Sequence, residues 1–367
     1  MALKCGIVGL PNVGKSTLFN CLSSAKAQAA NFPFCTIEPN VGIITVPDER
    51  LTKLADIAKP QNVIPTTIEI VDIAGLVQGA SKGEGLGNQF LANIRETDAI
   101  LHVLRCFDND NIIHVHGDVN PLRDKEIIDT ELQLKDLDSV EKRLDRQKKN
   151  SKSGDKSILE GIELLQSLKS HLEQGKSVRS LSLSENDLPH IKDLCLLTQK
   201  PVLYVCNVNE ESLKAPEKNA YIQQVTAMAT QENAGVMLIS AAIEADIAEL
   251  ESYEERQVFL DDLGLAQSGV QLLIQAAYKL LNLATYFTVG EKEVRAWTIK
   301  NGFTAPQAAG VIHTDFERGF IRANVIKYND FITLGSEAAA RNAGKLNVEG
   351  KTYLVNDGDI MHFLFNV

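Results

Sequence analysis

Apolar and polar positions along this chain follow two periods, and the switches between them mark its parts. Short β-branched or apolar runs come first: Cys5-Gly-Ile-Val-Gly9, Gly42-Ile-Ile-Thr-Val46, Thr66-Thr-Ile-Glu-Ile-Val-Asp72 and Ala99-Ile-Leu-His-Val-Leu-Arg-Cys-Phe107. They read as strands, the first and last of them buried, and Thr17–Leu22, Glu49–Ala58 and Phe90–Thr97 read as helices between them. Strands alternating with helices predict an α/β fold. From Pro121 to Pro189 no proline intervenes and the period turns helical. Ile127, Leu134, Leu137, Val140 and Leu144 share one stripe, the polar run Asn150-Ser-Lys-Ser-Gly-Asp155 breaks it, and Ile158, Ile162, Leu165, Leu168 and Leu172 form a second. Two such stripes predict an antiparallel helical hairpin. Extended runs return at Lys200–Cys206 and Gly235–Ser240, so the hairpin is an insertion into a discontinuous α/β domain. After about Tyr278 the strand-like runs Val294–Ile299 and Phe320–Ile326 flank a helix-like element at Thr304–Gly310, which predicts a small β-grasp module. The expected parts are 1–122 and 196–277 for the α/β domain, 123–195 for the hairpin and 278–367 for the module.

The chemistry concentrates where the first strand meets the first helix. Gly9-Leu-Pro-Asn-Val-Gly14-Lys15-Ser16 is a full G-x-x-x-x-G-K-[ST] phosphate loop in a strand-to-helix setting. Backbone N–H groups of Pro11-Asn12-Val13-Gly14-Lys15-Ser16-Thr17 (proline excepted) and the positive helix end surround a β-phosphate. Lys15 reaches the β- and γ-phosphates, and Ser16 places its hydroxyl on Mg²⁺. Thr36, in the irregular loop Ala29–Asn40, is the candidate second hydroxyl of the Mg²⁺ shell. Asp72-Ile-Ala-Gly75 closes the strand next to the loop, where an acid meets Mg²⁺ through water and the Gly75 N–H bonds the γ-phosphate. Leu76 stands where Ras-like GTPases carry the Gln that orients the attacking water, so either hydrolysis is slow or another group positions the water. His114, in the polar segment after Phe107, is a candidate for that role, with a surface histidine the alternative.

Asn207-Val208-Asn209-Glu210 occupies the place of the guanine-reading N-K-x-D, with Ser240 and Ala241 in the following loop. Val208 replaces the lysine that packs on the base, and Glu210 replaces the shorter Asp that accepts guanine N1–H and the 2-amino group. Adenine lacks both donors, and an unpaired buried polar group costs about 1–3 kcal/mol, so this segment decides the nucleotide. The Asn207 amide is left to meet the adenine 6-amino group.

Composition narrows the rest. A net charge of −11 over 367 residues, from 37 basic and 48 acidic side chains, argues against coating nucleic acid through bulk charge and leaves room for a local basic patch. Lys142, Arg143, Arg146, Lys148 and Lys149, near the tip of the hairpin, are that candidate patch. Cys5, Cys21, Cys35, Cys106, Cys195 and Cys206 show no C-x-x-C pairing and read as reduced core residues. No run of 18 apolar residues occurs; the expectation is a monomeric cytoplasmic protein without a membrane partner.

Together these motifs, with Asn31-Phe-Pro-Phe-Cys-Thr-Ile-Glu-Pro-Asn40, Gly79-Ala-Ser-Lys-Gly-Glu-Gly-Leu-Gly-Asn88 and Thr304-Ala-Pro-Gln-Ala-Ala-Gly-Val-Ile-His-Thr-Asp-Phe316, resemble the YchF/Obg-like ATPase family over essentially the whole length. The resemblance implies an OBG-type P-loop G domain with a coiled-coil insertion, a C-terminal TGS domain, ATP favoured over GTP, and association with ribosomes. Asn12 resembles the Asn that helps bind K⁺ in some relatives lacking the catalytic Gln, which makes K⁺ a second candidate cofactor. The expected function is a slow Mg²⁺-dependent ATPase switch; an Obg-class GTPase and a non-hydrolysing scaffold are the alternatives.

Overall fold

The computed structural model describes residues 3–27, 41–73, 86–150 and 156–366. The expectations for Cys35, Thr36, Gly75 and Leu76 lie outside the described residues. The chain divides into two compact units, one of residues 3–42 and 69–273, the other of 43–68 and 274–367.

The first unit is built on parallel strands β1 (Lys4–Val8), β4 (Thr67–Asp72), β5 (Ala99–Arg105), β6 (Val202–Asn207) and β7 (Gly235–Ile239), in the six-stranded order β2-β4-β1-β5-β6-β7 with β2 at Val41–Thr45. Every residue of β5 and β6 is buried, the pattern of strands covered on both faces. Register sets the strand ends side by side: Ile7 pairs with Asp72 and with Leu101, and Arg105 pairs with Asn207. The covering helices are α1 (Lys15–Ala27), α3 (Leu86–Arg95), α8 (Ala220–Gln231), α9 (Ala241–Glu249), α10 (Tyr253–Leu263) and the start of α11 (Gly269–Leu280), with the short α6 (Leu188–Ile191) and α7 (Glu210–Lys214) between strands.

Between β5 and β6 stand α4 (Pro121–Asn150) and α5 (Lys156–Glu173). Their facing stripes close a core of Val140, Leu144, Leu165, Leu168 and Leu172, completed by Val178, Ile191 and Leu196. The buried Asp136 carboxylate accepts the Leu197 and Thr198 N–H groups at 2.8 and 2.7 Å and the Thr198 hydroxyl at 2.7 Å, which fixes α4 against the chain returning to β6. The basic ridge is less free than its sequence suggests: Lys142 pairs with Asp138 and Arg143 with Asp193, each at 2.8 Å.

The second unit is a sheet ordered β11-β10-β12-β8-β9-β3, from β3 (Asn62–Ile64), β8 (Leu283–Val289), β9 (Glu293–Lys300), β10 (Phe320–Ile326), β11 (Asn347–Glu349) and β12 (Ile360–Phe365). On one face α12 (Ala305–Ile312) lays Ala305 and Ala308 on Tyr286, Phe320 and Phe363, with α13 (Thr314–Arg318) following it. The other face takes Leu51 and Leu54 of α2 (Glu49–Ala58) and Phe331 of α14 (Tyr328–Leu334), with α15 (Glu337–Asn342) beside them. Here the structure departs from the expected boundaries. Residues 43–68 were read with the α/β domain, yet α2 and β3 pack in the second unit, because the apolar face of α2 is buried on Phe287, Val294 and Ile360.

Candidate nucleotide-binding site

β1 ends at Val8, and the chain turns through 9–14 into α1. A Cβ on Gly9 would lie 2.6 Å from the Val103 carbonyl oxygen, and Gly14 holds φ +101° with the Asn207 amide where a Cβ would sit. Only glycine lets the turn fit between these neighbours. The first helical bond runs from the Leu18 N–H to the Gly14 carbonyl at 3.0 Å, so the N–H groups before it stay available at the positive helix end. Ser16 and Thr17 are exposed there, Val13 is buried and Pro11 half-buried.

Lys15 is 6% exposed and donates from Nζ to the Leu10 carbonyl at 2.7 Å. Burial pushes its pKa down to about 8, against an opposing pull from Asp72. Asp72 at the end of β4 is pushed up by burial and drawn back by Lys15, and its Oδ1 is buried without a hydrogen-bond partner among the described residues. Burial thus pushes both groups toward their neutral forms, and each draws the other back toward its charged form. A carboxylate oxygen without a partner among the described residues and an exposed Ser16 hydroxyl are of the oxygen-donor kind that Mg²⁺ takes.

The Asn207 Nδ2 donates to the Val13 carbonyl at 2.9 Å, and its Oδ1 accepts the Ala241 N–H at 3.0 Å. This buried amide braces the phosphate loop against the turn of Ser240 and Ala241, and one Nδ2 hydrogen and one Oδ1 lone pair remain beyond those two bonds. Ser240 is 2% exposed and caps α9 by accepting the Ile243 N–H. Val208 is 2% exposed, with its N–H on the Ile239 carbonyl, so it is a core residue. Glu210 is exposed at the start of α7, its carboxylate 2.7 Å from Lys214 Nζ.

His114 is not a surface histidine. Its ring is 4% exposed, Nε2 lies 2.8 Å from Asp124 Oδ2, and Nδ1 accepts the His116 N–H at 3.2 Å. Both nitrogens are committed, and the ring can meet a nucleotide only after leaving Asp124. Asn12, at φ +62°, donates from Nδ2 to the Ile113 carbonyl at 3.1 Å. Sequence reasoning missed Arg105, 1% exposed, whose guanidinium binds the carbonyls of Phe107, Asn109 and Ile112 at 3.1, 3.1 and 2.9 Å. A cation at the end of an apolar strand was the available signal. His102 is a core histidine on β5, 2% exposed, with its pKa pushed down to about 4 by burial.

A parallel sheet with a glycine-gated turn, a buried lysine at a helix start and an acid on the adjacent strand end defines a P-loop nucleotide-binding protein. Residues 4–150 match the family model described as 50S ribosome-binding GTPase, and residues 283–366 match YchF-GTPase_C, described as a protein of unknown function. The chain is 58% identical over 367 residues, with full coverage of both, to the "Ribosome-binding ATPase YchF" of Escherichia coli O157:H7, and 54% identical over the same length to that of Bacillus subtilis (strain 168). A solved structure of the Schizosaccharomyces pombe YchF GTPase superposes with a TM-score of 0.88 at 39% identity, covering 99% of this chain and 97% of that one. The chain belongs to the YchF family.

Proposed function

We propose that this protein is a Mg²⁺-dependent ATPase that turns over slowly alone and acts as a nucleotide-dependent switch in association with ribosomes. The observation that carries the reading is the buried Lys15 ammonium at the phosphate loop, with one buried Asp72 oxygen at the adjoining strand end left unpaired among the described residues. Lys15 holds the β- and γ-phosphates, the loop N–H groups hold the β-phosphate, and the brace from Asn207 keeps those groups in place. Ser16, Thr36 and, through water, Asp72 hold Mg²⁺, which offsets phosphate charge. With Leu76 in the water-orienting position, turnover depends on another group, His114 released from Asp124 or K⁺ near Asn12. The curated relatives' names give the reaction and the ribosome, whereas the Schizosaccharomyces pombe protein is called a GTPase. Val208 and Glu210 decide between the nucleotides: no lysine stacks on the base, and the carboxylate sits on Lys214.

Titration of labelled ATP and GTP in Mg²⁺, followed by phosphate release with and without ribosomes, tests this. Tighter ATP binding and ribosome-dependent release are expected. Equal or tighter GTP binding sinks the base assignment, and no release under either condition leaves only a scaffold.

A further inference from the structure

A continuous line of contacts runs from the phosphate loop to the helical insertion. Asn12, on an exposed left-handed turn, donates to the Ile113 carbonyl at 3.1 Å. The segment carrying Ile113 is fixed from beneath by the three Arg105 hydrogen bonds. His114 comes next in the chain. Its Nδ1 accepts a backbone N–H, which puts the ring proton on Nε2, where it is donated to Asp124 Oδ2 at 2.8 Å. Asp124 lies in the first turn of α4 and is 1% exposed; its Oδ1 has no hydrogen-bond partner and only the Arg123 guanidinium 3.6 Å away. Among the described residues the carboxylate is therefore tied to the nucleotide side through His114 alone of its hydrogen bonds, and a shift of the α4 start has one side-chain path toward Asn12.

We propose that Asp124 is a positioning residue for nucleotide binding: through His114 and the Ile113 carbonyl it sets the Asn12 turn, so that the insertion and the phosphate loop bias one another. Two elements with a shared, discrete contact are what coupling requires, and the coupling is reciprocal. This rests on nucleotide occupying the phosphate loop, as read above.

The test measures ATP and ADP affinity of the full chain as wild type, Asp124→Ala, Asp124→Asn, Asn12→Ala and the Asn12→Ala/Asp124→Ala double variant. Asp124→Ala is expected to weaken binding by about three- to tenfold, and the double variant to bind no more weakly than Asn12→Ala, since both cut one line. Asp124→Asn keeps an acceptor for the Nε2 proton and should restore most of the affinity. Affinities unchanged in both single variants, or losses that add in full, overturn the proposal. A wild type that binds neither ATP nor GTP instead fails the nucleotide reading itself. Should Asp124→Ala not fold, Asn12→Ala on its exposed turn decides through hydrogen exchange. The amides of Gly117 and Asp124, bonded to the His114 and Asn120 carbonyls, should exchange about fivefold faster or more, and unaltered exchange overturns the coupling.

Discussion

The two compact units differ in how completely their buried polar groups are paired. Among the described residues, the buried side-chain atoms without a hydrogen-bond partner belong to Asp72, Arg95, His102, Arg123, Asp124, Gln147 and Arg179, all in the first unit. The second unit's buried carboxylate, Asp359, is met on both oxygens: by Lys327 at 2.7 Å, by the Tyr353 hydroxyl at 2.6 Å and by the Asn356 N–H at 2.9 Å. A finished network rigidifies and specifies a fold, whereas an unfinished one costs stability unless a ligand or a second conformation completes it. Two of the unfinished groups, Asp72 and Asp124, bear on the phosphate loop, one directly and one through His114. Among the described residues the vacancies fall in the unit that carries the phosphate loop, beside completed groups such as Asp136.

The contrast breaks most sharply at Lys15. Lys15→Ala should weaken ATP binding by about 10³-fold, roughly 4 kcal/mol, because several charge-assisted bonds to phosphate vanish together. Its melting temperature without nucleotide should hold or rise, since a buried ammonium is removed. Titration and thermal unfolding read the two effects, and a large loss of stability would make Lys15 structural. In the second unit the signs reverse. Asp359→Ala leaves the Tyr353 hydroxyl and the Asn356 N–H without their acceptor, while the half-exposed Lys327 turns to water, and should cost about 1–3 kcal/mol in urea unfolding while ATP affinity stays close to wild type.

His102 sharpens the comparison through pH. Its folded pKa, near 4, lies below the usual 6.5, so between these values the unfolded chain binds more protons. Its contribution is present in full above pH 6.5 and is lost as pH falls toward 4, by up to about 3 kcal/mol. His102→Gln should flatten that part of the acid limb in unfolding measured at pH 4, 5 and 7; an unaltered slope assigns the loss to carboxylates. Lys15 acts in the alkaline window. With its pKa at about 8, ATP binding above that pH takes up a proton, so affinity should fall by up to about tenfold per pH unit between 8 and 10. Affinity that stays flat to pH 10 means the ammonium is already charged at rest.

Legibility in the sequence followed the reach of each interaction. The phosphate loop, the β5 and β6 runs and the two helical stripes are local patterns, and α4 and α5 begin and end close to where those stripes do. The helical period of Glu49–Ala58 was equally legible, but nothing in a stripe names the sheet that will cover it, and α2, read with the α/β domain, packs in the second unit. At the site, motif position located Asn207 and could not orient it: its partners, the Val13 carbonyl and the Ala241 N–H, are backbone groups brought near by the parallel register. Asp124 was invisible for a similar reason. Its role depends on His114 folding back onto the first turn of α4, which no periodicity encodes.

Lys214 should show the smallest effect and tests whether the contrast between units concerns burial or merely charge. Its Nζ lies 2.7 Å from Glu210 Oε1 as an i,i+4 pair, and both side chains are 53% exposed. Water screens such a pair, so Lys214→Ala should cost only about 0.3–0.5 kcal/mol of stability. The same change frees the carboxylate at the place where a guanine-reading acid stands in N-K-x-D. If the pairing with Lys214 helps to withhold Glu210 from guanine, the ATP-to-GTP affinity ratio should drop by about twofold, with ATP affinity itself held. A ratio that does not move would assign the preference to Val208 and to the length of Glu210, and Glu210→Asp in the same background would then be the change that admits GTP.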